Sequence, residues 1–114
     1  MQEELMVAQL SPLVAGQVYP DTAPSDVAPP YLIWQQVGGQ PIQFLGGVGS
    51  TTRPRIQLTW WAVSRLAACQ LRDQIQAAMV DTPLFAEIAT GPVADHEPVQ
   101  GLYGFRQDFY LAVP

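Results

Sequence analysis

The stretch from Arg53 to Asp81, RPRIQLTWWAVSRLAACQLRDQIQAAMVD, changes its hydrophobic period midway, and from Arg55 onward it contains neither glycine nor proline. Its first part alternates: Ile56, Leu58, Trp60 and Ala62 share one parity, and Arg55, Gln57, Thr59 and Trp61 the other. A period of two, rich in β-branched and aromatic residues, predicts a half-buried strand from Arg55 to Val63. Its second part repeats at helical spacing, with Ala68, Leu71, Ile75, Ala78 and Met79 on one stripe. Ser64 stands at the switch, where its side chain can cap a helix running to Val80. Asp81-Thr82-Pro83 ends that helix, because a proline disfavours helical geometry in the residue before it. A strand that runs straight into an amphipathic helix must fold the helix back on the sheet, since neither apolar face is stable alone.

With 114 residues, 48% of them hydrophobic and 13% charged, the chain has the composition of one globular domain, residues 1–114. No apolar run is long enough to span a membrane, and Glu3 and Glu4 stand where a secretory signal would carry positive charge. One cysteine, Cys69, excludes an internal disulfide and suits a reducing compartment. The net charge is −5, from five arginines and no lysine, which argues against a nucleic-acid binder that must neutralise phosphates. Arg53, Arg55 and Arg65 cluster in sequence; a solvated or paired strand edge accounts for them better than a basic patch does.

Before the central strand, Met1 to Leu10 predicts a short helix, interrupted by Ser11-Pro12, with a further turn closed at Gly16. Gln17 to Pro30 is a proline-rich connection in which Val18-Tyr19 can add a short strand. Tyr31 to Val37 predicts a strand that Gly38-Gly39 breaks, and Ile42 to Leu45 a return strand. Gly46 to Thr52, GGVGSTT, predicts an irregular tip, and the whole segment from Gly38 to Thr52 is expected to be mobile. Beyond the helix, Phe85 to Ala89 predicts a strand, Asp95 to Pro98 a turn or loop, and Leu102 to Val113 a closing strand. In that strand Phe105, Gln107, Phe109, Leu111 and Val113 oppose Arg106, Asp108, Tyr110 and Ala112. The expected class is α+β: an antiparallel or mixed sheet of about four to five strands, with the long helix on one face and a short N-terminal helix.

Signs of catalysis are weak. Gly46-Gly47-Val48-Gly49-Ser50-Thr51 lacks the lysine and the following helix that a phosphate-binding loop needs. His96 between Asp95 and Glu97 has no second histidine to join it on a metal, and adjacent residues do not converge on one ion. Cys69 lies far from that histidine in sequence, and a nucleophilic thiol needs a base beside it. Asp73 and Asp108 are paired by no spacing signal. No catalytic, cofactor-binding or metal site is expected.

The aromatics say more. Trp60 and Trp61 are adjacent on a strand and must point to opposite faces, so one of them leaves the core. Tyr110 also opposes its strand's apolar set, and Tyr31 to Val37 is apolar in both parities. Either the N-terminal helix covers this second face or another subunit does.

Three segments together resemble the tail completion proteins of long-tailed bacteriophages and prophages. GQVYPDTAP followed by PPYLIWQQVGG is similar to their opening, RPRIQLTWWAVSRLAACQLRDQIQAAM to their central strand and helix, and LYGFRQDFYLAV to their closing strand. The resemblance runs from about Leu10 to Val113. The chain departs from it at Trp61-Ala62, where a single aromatic is commoner, and at Gln17, where arginine is. The resemblance implies a structural, non-enzymatic protein without cofactors, with the α+β fold of tail terminators. It implies a ring, of six subunits, on the head-proximal end of the tail tube in the virion. There the ring would stop tube polymerisation and meet the head connector. Its partners would be itself, the tail tube protein and the head connector protein, with no specific nucleic acid and no membrane. A negative lumen would let DNA slide through without adhering. For such a ring the expected interface residues are Arg53 and Arg55 on one half with Phe44 and Leu45 at its tip, and Asp108 and Tyr110 on the other. Trp34 or Trp61 would supply affinity. A head-closure or adaptor protein of the same particle, or a non-catalytic cellular interaction domain, is the alternative.

Overall fold

The period switch at Ser64 is the pivot of the structure. A computed structural model describes residues 2–43 and 50–111, with backbone alone at residues 2, 39–43 and 50–53. Strand β3 (Ser50–Ala62) passes through Ser64 into helix α2 (Arg65–Val80). The Ser64 hydroxyl accepts the Ala67 backbone N–H at 3.1 Å, which satisfies one of the orphan donors of the first turn. The apolar stripe then lands as the spacing predicts: Ala68, Leu71, Ile75 and Met79 are buried. On β3 the buried set is Ile56, Leu58, Trp60 and Ala62, and the Trp60 indole N–H donates to the Ala68 carbonyl at 3.3 Å.

Helix α1 (Gln2–Leu10) and a 3-10 turn (Ser11–Val14) precede β1 (Val18–Pro20). The turn closes through Ala15 and Gly16, both at positive φ. β1 pairs parallel with β2 (Tyr31–Gln43), and the Gln17 side-chain amide donates to the carbonyls of Ala28 and Pro30, pinning the proline-rich connection between them. After α2 come β4 (Glu87–Ile88), β5 (Val93–Glu97) and β6 (Leu102–Tyr110). The sheet order is β1-β2-β3-β6-β4, with β5 beside β4 on the same edge of β6; only the β1–β2 pairing is parallel. The sheet is therefore mixed and the fold α+β, as expected.

Both helices lie on one side of it. Met6, Leu10 and Val14 join Leu32, Trp60, Ile75 and Phe109 in a single buried cluster. The N-terminal helix thus lies beside α2 and does not cover the second sheet face. Its apolar residues and those of α2 are drawn to the same core.

Three strand assignments are corrected. Gly38-Gly39 does not break β2, and Ile42 is not on a return strand. The ladder steps from Gln36↔Ile56 to Gly39↔Pro54, so Val37 and Gly38 oppose Arg55 alone. This is a β-bulge, and Gly38 at φ +113 takes a backbone conformation that other residues rarely adopt. The glycine pair bends the strand, which continues outward to Gln43 opposite Ser50. Residues 50–52, expected in an irregular tip, are strand in β3, and residues 42–43 of the expected return strand are the end of β2; residues 44–49, including Phe44 and Leu45, lie outside the described residues.

The strand expected from Phe85 to Ala89 shrinks to Glu87–Ile88. Phe85 sits at φ +49, and the Ala86 N–H bonds to the Met79 carbonyl instead of a ladder partner. Conversely, Val93–Glu97 is a strand, although a turn or loop was expected from Asp95 to Pro98. It is a strand at the sheet edge, exposed on nearly every side chain, so it carries no alternation to read. Pairing with β6, a bond from Arg65 to the Asp95 carbonyl at 2.7 Å and a stack of His96 on Tyr103 hold it. The turn falls later, where the Glu97 carboxylate accepts the N–H groups of Val99 and Gln100.

Candidate interaction surfaces

The face of the sheet away from the helices is built by cross-strand register. One row runs Tyr31, Trp61, Gly104, Asp95; the next runs Ile33, Thr59, Arg106, Val93. A third joins Gln35, Gln57 and Asp108, and Arg55 pairs with Tyr110 beyond it. Trp60 and Trp61 therefore divide as expected, with Trp60 fully buried and Trp61 half-exposed.

Trp61 depends on the absence of a side chain across from it. A Cβ on Gly104 would collide with the Trp60 carbonyl oxygen and come within 2.8 Å of Trp61 Cε3. A glycine inside a strand marks such close approach. Leu102 is buried without belonging to the main core cluster, and it has the same strand parity as Gly104. Tyr31 is directly opposite Trp61. Its phenol pKa is raised above the ordinary value, first by partial burial and then by the negative charge of Glu97. Tyr31, Trp61 and Leu102 thus make an aromatic-aliphatic patch at one end of this face.

The other end is polar and internally satisfied. Arg55 Nε donates to Asp108 Oδ2 at 2.9 Å, its Nη2 lies 2.8 Å from the same oxygen, and Gln57 donates to Oδ1 at 3.3 Å. The Arg55 guanidinium lies 5.7 Å from the Tyr110 ring centroid. Its pKa is raised, chiefly by the bond to Asp108, with burial opposing and Tyr110 adding. The Asp108 backbone N–H donates to Thr90 Oγ1, and its carbonyl accepts Ala89 and Thr90. Arg106 is exposed between the aromatic and polar ends.

Of the residues expected at an interface, the structure gathers Arg55, Trp61, Asp108 and Tyr110 on this one face. The two charges expected to meet across subunits, Arg55 and Asp108, meet within one. Trp34 is on the helix side, half-buried against the core. Arg53 pairs with Gln40 through its backbone, and its side chain is outside the described set. Tyr31, Leu102, Gly104 and Arg106 were not singled out. The glycine interrupting LYGFRQDFY was the available signal for Gly104; Tyr31 joins it only through strand register.

No group of three or more His, Cys, Asp or Glu side chains that could hold a metal occurs among the described residues. No helix there is long and apolar enough to cross a membrane. On the helix side a half-open notch of about 160 Å³ is lined by Leu13, Pro30, Ala62, Ala67, Leu71 and Gln74.

Residues 4–109 match the family model described as Tail completion protein gp17. No curated protein matches the chain. The match covers nearly the whole sequence, and the chain belongs to the tail completion family of phage structural proteins.

Proposed function

We propose that this tail completion protein caps the head-proximal end of the tail tube as a ring, of six subunits, ending tube polymerisation and presenting a surface to the head connector. One observation carries the reading. A sheet face bearing Tyr31, Trp61 and Ile33 is left without a helix, because both helices pack on the other side. Half-exposed aromatics on such a face are suited to burial against another chain, where aromatic anchors supply much of the affinity. A ring requires two different complementary surfaces on each subunit. The aromatic end of the open face is one. The other lies on the helix side or the far edge of the sheet.

Because Arg55 and Asp108 satisfy one another, register between subunits falls to other groups, with exposed Arg106 on the open face the best placed. A net charge of −5 suits a lumen through which DNA passes without sticking. The test is molar mass across a wide concentration range, with and without the tail tube protein. Rings on tube ends are expected. Strict monomer in both conditions removes the ring and leaves the adaptor reading.

A further inference from the structure

Among the arginines whose side chains are described, only Arg106 makes no side-chain hydrogen bond or ion pair, and it is exposed on the open face. Arg55 is held by Asp108, Arg65 by the carbonyls of Gly104 and Asp95, and Arg72 by Asp73. The surroundings of Arg106 suit a carboxylate from outside. The Trp61 ring lies against Gly104, two residues before Arg106 on β6, and Thr59 and Val93 flank Arg106 on the neighbouring strands. A planar guanidinium can take a carboxylate in two parallel bonds, and the indole beside it keeps water from one side of the pair.

The complementary charge lies beyond the opposite edge of the sheet. Among the described residues, the side chains of Glu3 and Glu4 on α1 and of Asp21 and Asp26 between β1 and β2 have no hydrogen-bond or ion-pair partner. Of these, Asp26 alone sits in a turn with a proline: Pro24, Ser25 and Asp26 are exposed, and the Val27 N–H bonds to the Pro24 carbonyl at 3.4 Å. Both ends of this connection are tied to the β1 edge. The Asp21 N–H bonds to the Trp34 carbonyl, and Gln17 holds the carbonyls of Ala28 and Pro30. β2 and β3 separate β1 from β6, so about 14 Å, three spacings of roughly 4.8 Å, lie between the edge strand and the Arg106 of the same chain. Neither aspartate meets that arginine within one subunit. The sizes agree as well. The corners of a β-turn lie within about 7 Å of one another, and Gly104 and Arg106, two residues apart on a strand, are about 6.8 Å apart. A cationic, aromatic face toward one edge and an acidic, proline-bearing turn at the other are the two different surfaces that a head-to-tail contact needs.

We infer that the Pro24–Val27 turn of one copy docks on the open face of the next, with Pro24 against the Tyr31–Trp61 aromatic pair and the Asp26 carboxylate on the Arg106 guanidinium. The contact rests on the ring reading and names the groups that set its register. Aromatic surfaces are common receptors for proline, and the charge pair fixes which way round the turn sits.

The test is a charge exchange, scored by ring formation on tail tube protein. Arg106→Asp and Asp26→Arg each change an exposed side chain without a partner and are expected to melt like wild type. Alone, each is expected to assemble more weakly by roughly tenfold or more, because like charges then face each other at every contact. Mixed in equal amounts the two are expected to assemble again, since every turn then meets the opposite charge on its neighbour. The double variant is expected to assemble by itself. Should a reversal lower the melting temperature, Arg106→Gln and Asp26→Asn replace it, with weaker assembly expected of each and little further loss when they are combined. Wild-type rings with undiminished assembly of the single variants overturn the contact and leave the ring intact. A loss that neither mixing nor the double variant repairs also overturns it, and assigns Arg106 to another partner such as the tail tube protein. A wild-type protein that never forms rings overturns both the ring and the contact.

Discussion

Arg55 on β3 reaches across to β6 and holds Asp108, with Nη2 2.8 Å from Oδ2, so that two of the surface charges best placed for partner binding are spent inside one subunit. Gln57 completes the carboxylate's bonding from the same strand. Removing Asp108 takes the carboxylate acceptor from the Arg55 guanidinium and the Gln57 amide, and removing Arg55 leaves a largely buried carboxylate short of a donor. Melting temperatures of Arg55→Ala, Asp108→Ala and the double variant are expected to fall in each case. The double should lose less than the sum of the singles, as for groups in one network. Strict additivity would show that the pair does not act as a unit.

Gly104 is expected to be intolerant. An added methyl group meets the Trp60 carbonyl oxygen and the Trp61 ring. Gly104→Ala is expected to cost about 1–3 kcal/mol, the usual range for overpacking, and to shift the fluorescence of Trp61 as its ring is pushed off the sheet. Unchanged stability and emission would mean that the indole is free to move aside.

The strand-to-helix pivot gives two further expectations. Ile75→Ala, at a fully buried position, should cost about 2–5 kcal/mol by denaturant unfolding, while Val80→Ala, 43% exposed on the same helix, should cost far less. Ser64→Ala should cost about 1 kcal/mol and Ser64→Asp should restore most of it, because aspartate caps equally well. Equal losses in Ile75→Ala and Val80→Ala would contradict the assigned helix face.

Tyr31 should titrate above the ordinary tyrosine range. Its pKa is raised by burial and by Glu97. A folded-state pKa above the unfolded value means that the native protein keeps the proton longer, so stability associated with Tyr31 is intact below the ordinary tyrosine pKa of about 10 and declines as pH rises through the higher folded value. Ultraviolet titration of phenolate should show one late tyrosine that disappears in Tyr31→Phe and moves partway back in Glu97→Gln. A Tyr31→Phe profile with the late component still present would assign it elsewhere.

The elements with one clean period were legible in the sequence: β3 and α2 by the switch at Ser64, and β6 by its alternating apolar set, with buried Gln107 tied to Gln76 and the Thr90 carbonyl. Legibility failed where tertiary pairing decides. β5 is fully polar or small at most positions and exists because β6 offers it an edge. The Gly38 bulge looks in sequence like a turn, since glycine serves both. Phe85 reads as a strand residue until its buried neighbours force it outward. On the candidate surface, the opposition of Trp60 and Trp61 was readable from parity alone. The meeting of Arg55 with Asp108 was not, because register between β3 and β6 is set by the whole core.

The proposed role of this protein is to end tail tubes. The most direct measurement is the length distribution of tubes assembled from tail tube protein, seen by electron microscopy, with increasing amounts of this chain present from the start. The expected result is shorter tubes bearing a ring-shaped cap at one end only, with the capped fraction rising in proportion to added protein. Tubes of unchanged length with bare ends at saturating concentration would contradict it.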